Sequence, residues 1–206
     1  MYLSKKMKFG LSVLAFVIVS FLHADSFSHP HVFIDNSLKI VFNEKGLTGI
    51  NLKWIFDEMF SGMIIYEFDK NKNRKFEAPE IEKIKKGAFE HLKNFDYFTY
   101  IKINGQQFKV RYVQGFSASI CKNKVIYNFF VPCHVTAIST FKEVRISIYD
   151  KENYCNISLA QNNSVQFENI SSIDFHHQIA KNTEEPYYFG MLFPEEIILK
   201  FRGKNG

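Results

Sequence analysis

Cysteine is scarce in this chain: three residues, Cys121, Cys133 and Cys155, in 206. No two form a Cys-x-x-Cys pair, which excludes a structural zinc knuckle and a thioredoxin-like redox centre. The odd count leaves at least one thiol unpaired, unless a partner chain or a metal takes it, and the spacing does not say whether a single disulfide forms or which pair would make it. Charge of one sign is also lacking. Three of the 26 Lys+Arg fall at Lys5, Lys6 and Lys8, which leaves 23 against 21 Asp+Glu, about +2 for the rest of the chain. No clustered basic face remains, so nucleic acid is not an expected partner. There is one long apolar run, Phe9 to Leu22, and no second run that would anchor the chain in a membrane. A Ser-His-Asp order, a nucleophile elbow, a phosphate loop and carboxylates paired in a catalytic setting are all missing. The expectation is that the protein is not an enzyme.

The basic residues, the apolar run and the small residues Ala24, Ser26 and Ser28 together read as a secretory signal. Residues 1–24 are its expected extent, with cleavage as late as residue 28. Residues 25–206 then form one exported domain, expected in the periplasm, where an oxidising setting governs the thiols. Cleavage after Ser28 would make His29 the new amino terminus and add an α-amine as a ligand.

What is abundant is phenylalanine, 23 residues, a large apolar payload for a β core. Val32 to Phe42 and Gly46 to Trp54 alternate apolar and polar residues around Asn43-Glu44-Lys45-Gly46 and read as a hairpin. Tyr97 to Ile103 and Phe108 to Val113 flank Asn104-Gly105, a strong two-residue turn signal. Lys122-Asn123-Lys124 marks a third turn, and four further short strands follow, 144–149, 156–160, 164–170 and 197–201. The fold class expected is α+β: an antiparallel β-sandwich or barrel-like core with a helical insert at about 55–95. The insert is read from Ile55, Met59, Phe60, Met63, Ile64 and Phe68, then Ile81, Ile84, Ala88, Phe89 and Leu92, all at helical spacing.

The loop between those helices, Asp69 to Glu80, fits the calcium-loop template. Asp69, Asn71, Asn73 and Glu80 would offer side-chain oxygens, Lys75 its carbonyl, and Glu77 would hold a water. The helix-loop-helix is therefore expected to be EF-hand-like. Two departures make calcium a weak ligand at best. The sixth position wants glycine, and Arg74 there costs on the order of 1 kcal/mol in a left-handed backbone. Lys70, Lys72, Arg74 and Lys75 also outnumber the carboxylates of Asp69, Glu77 and Glu80.

His29-Pro30-His31 stands directly behind the leader, and imidazole is the commonest protein ligand for zinc and its neighbours. On a regular strand residues i and i+2 share a face, and binding of one ion by both imidazoles depends on how Pro30 shapes the segment. An exchangeable zinc site takes three or four N/O ligands. The metal-ligand candidates are His29, His31, Asp35, Asp57, Glu58 and His91. Asp57 also reads as a helix N-terminal acid, and His91 as a cation at a helix C-terminus. His134 reads as a strand residue or a second site beside Cys133, and His176-His177 as a polar pair in a loop.

The segments His29-Pro30-His31-Val32-Phe33-Ile34-Asp35, Trp54-Ile55-Phe56-Asp57-Glu58-Met59-Phe60-Ser61, the hand, and Asp96-Tyr97-Phe98-Thr99-Tyr100, in this order, resemble an exported family of formerly unknown function. Its members are described as periplasmic components of an uncharacterised ABC-type transport system, and the likeness is to Zev-type zinc-binding proteins. The likeness covers about His29 to Tyr154. It implies periplasmic binding of zinc, or of nickel or cobalt, in company with a membrane permease of a nickel/cobalt/zinc type. A metal-independent β-rich interaction module, with the hand as a structural brace, is the second class. A copper enzyme built on an amino-terminal His29 is the third and least favoured.

Overall fold

The computed structural model describes residues 30–204. The segment expected to be a secretory signal, residues 1–24, and His29 lie outside them. Alternation of apolar and polar residues drives the first hairpin: β1 (Val32–Asn43) and β2 (Gly46–Phe56) pair antiparallel, with Ile34, Leu38, Ile40 and Phe42 buried and Phe33 and Asp35 exposed. Gly46 is required at the turn. Its φ is +134°, and a Cβ there would lie 2.3 Å from the Val135 carbonyl oxygen.

The helical insert follows as α1 (Glu58–Phe68) and α2 (Ala78–Ile84), then a π-helical turn (Lys85–Phe89) and a 3-10 run (Glu90–Phe98). It starts later than the spacing predicts, because Ile55 still belongs to β2. The second helix is also shorter, since the backbone underwinds into the π-helical turn after Ile84, tightens into the 3-10 run and breaks at Asp96 and Tyr97, both at positive φ. His91 thus sits in the 3-10 run.

The chain then runs through β3 (Thr99–Ile103), β4 (Gln106–Phe108), β5 (Gln114–Cys121), β6 (Lys124–Thr136), β7 (Lys142–Ile148), β8 (Cys155–Leu159), β9 (Val165–Glu168), β10 (Ile173–Lys181) and β11 (Glu195–Gly203). Asn104-Gly105 and Lys122-Asn123 make the tight turns, each with two positive φ values, as a hairpin of right-handed twist demands.

These strands form two sheets. One has the order β5-β6-β2-β1-β8, with β9 also on β1; the other is β10-β11-β7-β3-β4. The fold is mostly β, and the sheets stay open at their edges instead of closing into a barrel. The antiparallel expectation is corrected at one place: β8 and β9 run parallel to β1. A crossover brings them there, and no hairpin signal could announce it. His176-His177 is a second correction, since both lie on β10 in register with β11 rather than in a loop. The inner faces meet through aromatic rings: Phe42 of β1 lies 5.2 Å from Phe201 of β11, and Trp54 of β2 lies 6.2 Å from Phe98. No helix among the described residues is long and apolar enough to cross a membrane.

Candidate functional site

A cavity of about 330 Å³ opens where the start of β1, the insert and the β7–β8 turn converge. Val32 and Ile34 of β1, Trp54 and Phe56 of β2, and Tyr127 of β6 form one wall. Phe60 and Ile64 of α1 and Leu92, Phe95 and Phe98 of the 3-10 run complete it. His91, Asp150, Glu152, Tyr154 and Cys155 add the polar side, of which His91, Glu152 and Tyr154 are exposed.

Asp150 builds that polar side. One carboxylate oxygen accepts the Glu152 N–H at 3.1 Å and the other the Cys155 N–H at 3.0 Å, while the Asn153 N–H donates to the Asp150 carbonyl at 2.9 Å. Asn153 takes a positive φ, which its short amide side chain tolerates. The turn then receives the start of β1. The His31 N–H donates to the Tyr154 carbonyl at 2.9 Å, and the two rings lie 5.0 Å apart. Burial, with the Asp150 and Asp57 charges adding to it, pushes the Cys155 thiol up to about 12.

The candidate ligands are distributed unevenly about this cavity. His31 reaches its polar side through Tyr154, and His91 lines it directly. Asp35 projects from the outer face of β1, between buried Ile34 and Asn36. The Asp57 carboxylate is engaged by backbone, accepting the Phe33 N–H at 2.8 Å and the Phe60 N–H at 2.9 Å as the cap of α1. Glu58 borders a different cleft, with Lys70, Lys72 and Arg74. His134 is exposed on β6, and His176 and His177 pack against the rings of Phe141 and Phe167. Among the described residues, no three His, Cys, Asp or Glu side chains form a group that could hold a metal ion. Asp150, Glu152 and Tyr154 escaped the sequence reading, because an acidic turn between apolar strands carries no signal beyond the turn itself.

The Asp69 to Glu80 loop is closed by its own backbone. Asp69, only 5% exposed, accepts the Asn73 and Arg74 N–H groups at 3.2 and 3.0 Å. Glu80 accepts the Lys70 and Glu77 N–H groups, each at 3.1 Å. The side-chain amides of Asn73 and Asn71 donate to Glu77, and chiefly the Asn73 bond holds that carboxyl below the usual carboxylate range. The Lys75 N–H donates to the Asn73 amide oxygen at 2.9 Å. Arg74 takes the left-handed backbone, at φ +62°.

The model of the protein-of-unknown-function family DUF1007 matches residues 14–199. The chain belongs to this family. This DUF1007 member is 36% identical over 69 residues to an uncharacterized 15.5 kDa protein in the trpE 3′ region of Spirochaeta aurantia, a match covering 34% of the chain and 49% of that protein. It is 24% identical over 147 residues to an uncharacterized protein of Haemophilus influenzae, covering 70% of the chain and 69% of that protein. The chain spans about half the length of the first relative and about two thirds of the second.

Proposed function

We propose that this protein is an exported, periplasmic divalent-metal-binding accessory protein that carries zinc, or nickel or cobalt, to a membrane permease. The observation that supports this reading is the position of His31 beside Tyr154, on a cavity whose polar side also holds His91 and Glu152. His29, two residues upstream, would add a second imidazole to the same approach. Three or four such N/O donors suit an ion that must be captured and released, whereas a closed thiolate site would retain it. Asp35, Asp57 and Glu58 are not part of the proposed ligand set, because they face elsewhere or already bind backbone.

The test is titration calorimetry with zinc. Replacing His29 and His31 together by alanine should weaken binding at least tenfold, about 1.4 kcal/mol, with circular dichroism unchanged. Unchanged affinity would overturn the proposal. Nickel and cobalt titrated in parallel rank the cargo, since geometry and not raw affinity must supply selectivity.

The insert fits an EF-hand-like reading. Its loop has acidic or amide residues at the first, third, fifth and twelfth positions and a left-handed sixth residue. The Asp69 and Glu80 carboxylates each accept two backbone N–H groups, which favours a brace with weak calcium affinity. That same feature is what supports the second reading, a metal-independent β-rich interaction module. Stability and partner binding unaffected by stripping divalent ions would favour it.

A further inference from the structure

The 330 Å³ cavity joins an apolar interior to an acidic rim. On the insert side Phe60, Ile64, Ala88, Leu92, Phe95 and Phe98 line it, with Phe95 and Ala88 reaching solvent at its edge. Asp150 and Glu152 line the rim, and among the described residues of the lining there is no Lys or Arg. Lys151, between the two acids in sequence, holds its ammonium over the Tyr100 ring, 4.5 Å from the centroid, and Tyr100 is not part of the lining. Asp150 is 5% exposed, and its oxygens accept the Glu152 and Cys155 N–H groups, which orient the carboxylate without supplying a positive charge. Glu152 is exposed, and its side chain makes no hydrogen bond or ion pair with any described residue. Two negative charges without a counter-charge in the lining thus stand at the mouth of an apolar cavity.

We propose that this cavity binds a small organic amine, with its apolar, ring-sized body in the interior and its ammonium at the rim on Glu152. The volume lies at the lower end of the range for small-molecule sites, and apolar walls with few polar groups are their general pattern. The interior sets the body: a ring placed among Phe60, Phe95 and Phe98 leaves water and covers accessible apolar surface in return. The rim sets the head. An ammonium donates charge-assisted hydrogen bonds to a carboxylate, whereas a carboxylate on the ligand would be brought up against two like charges. Glu152 makes the contact because its carboxylate is accessible, and Asp150 acts through its charge alone. The inference goes beyond metal delivery and does not rest on it.

The experiment titrates the protein by calorimetry, in EDTA so that no divalent ion occupies the rim, with 2-phenylethylamine, 2-phenylethanol and phenylacetate. These share the ring and differ in the charge of the head. The affinities should fall in the order amine, alcohol, acid, with the amine roughly fivefold tighter than the alcohol at low salt, the worth of a partly exposed charge pair. Glu152→Gln keeps the shape of the side chain and should cut that preference to roughly twofold, the remainder due to Asp150, while leaving the affinity for the alcohol unchanged. Ala88→Phe should fill the cavity from its partly exposed edge and abolish binding of the amine and the alcohol, with circular dichroism unchanged. Absence of saturable binding of the amine, equal affinity for amine and alcohol, or a preference that Glu152→Gln leaves intact would overturn the proposal. Zinc is absent throughout, so failure here and failure of the zinc titration are separate results.

Discussion

Phe33 and Asp57 exchange two hydrogen bonds: the Phe33 N–H donates to Asp57 Oδ2 at 2.8 Å, and the Asp57 N–H donates to the Phe33 carbonyl at 2.9 Å. The other oxygen of the same carboxylate caps α1 at Phe60. One side chain therefore joins the first strand to the insert, close in sequence to His31, which meets Tyr154 at the cavity. Replacing Asp57 by alanine removes both acceptors and should cost about 2 kcal/mol in urea unfolding. Asn at this position can still accept and cap, so Asp57→Asn should lose about 1 kcal/mol or less. Equal losses for the two would show that the negative charge, not the acceptor geometry, matters.

Arg74 holds a left-handed backbone inside the Asp69 to Glu80 loop. Glycine there relieves the Cβ clash but adds freedom to the unfolded chain, so Arg74→Gly should raise stability by about 0.5–1 kcal/mol in urea unfolding. The same change removes a cation from a net-positive loop. Calcium should bind the unaltered protein no tighter than roughly millimolar, and bind the variant more tightly, both by calorimetry.

Glu143 receives Arg145 Nε at 2.6 Å, with Lys200 at 3.5 Å, and chiefly the Arg145 hydrogen bond holds its carboxyl below the usual range. A depressed carboxylate stabilises the fold above its unfolded value and loses that contribution as pH falls through the folded value. Glu143→Gln should therefore cost about 0.5–1 kcal/mol at pH 7, since the pair is only partly shielded, and nothing near pH 2. Thermal melts of both proteins across that window test it.

Cys121 is exposed, whereas burial pushes both the Cys133 and the Cys155 thiol up to about 12. Reactivity follows the thiolate and its access. At pH 8 the native reduced protein should show one fast thiol toward a disulfide reagent and two slow ones, and Cys121→Ser should abolish the fast phase. Two fast thiols would show that Cys155 is reached through the cavity.

The first hairpin, the turns at Asn104-Gly105 and Lys122-Asn123, the helix-loop-helix and the left-handed strain at Arg74 were legible in the sequence. Each rests on local physics: alternation along a strand, 3.6-residue spacing, and the short list of residues that tolerate positive φ. The strand expected at Phe108 to Val113 is corrected: β4 pairs directly off the tight turn and ends at Phe108. The parallel placement of β8 and β9 was not legible, because a crossover leaves no period or turn signature near either strand. Nor was the strand at His176-His177, whose pairing is decided by β11, some twenty positions later. Residue type alone offered Asp35, Asp57, Glu58 and His91 as ligand candidates, Asp57 also as a helix N-terminal acid and His91 as a cation at a helix end. Only the tertiary structure separated them, by turning Asp35 outward, engaging Asp57 with two backbone donors, sending Glu58 to another cleft and setting His91 beside the cavity. The cavity wall formed by Ile34, Phe56, Trp54 and Tyr127 likewise depends on strand register. Register is fixed by the whole sheet burying one face at once, so no window of sequence contains it.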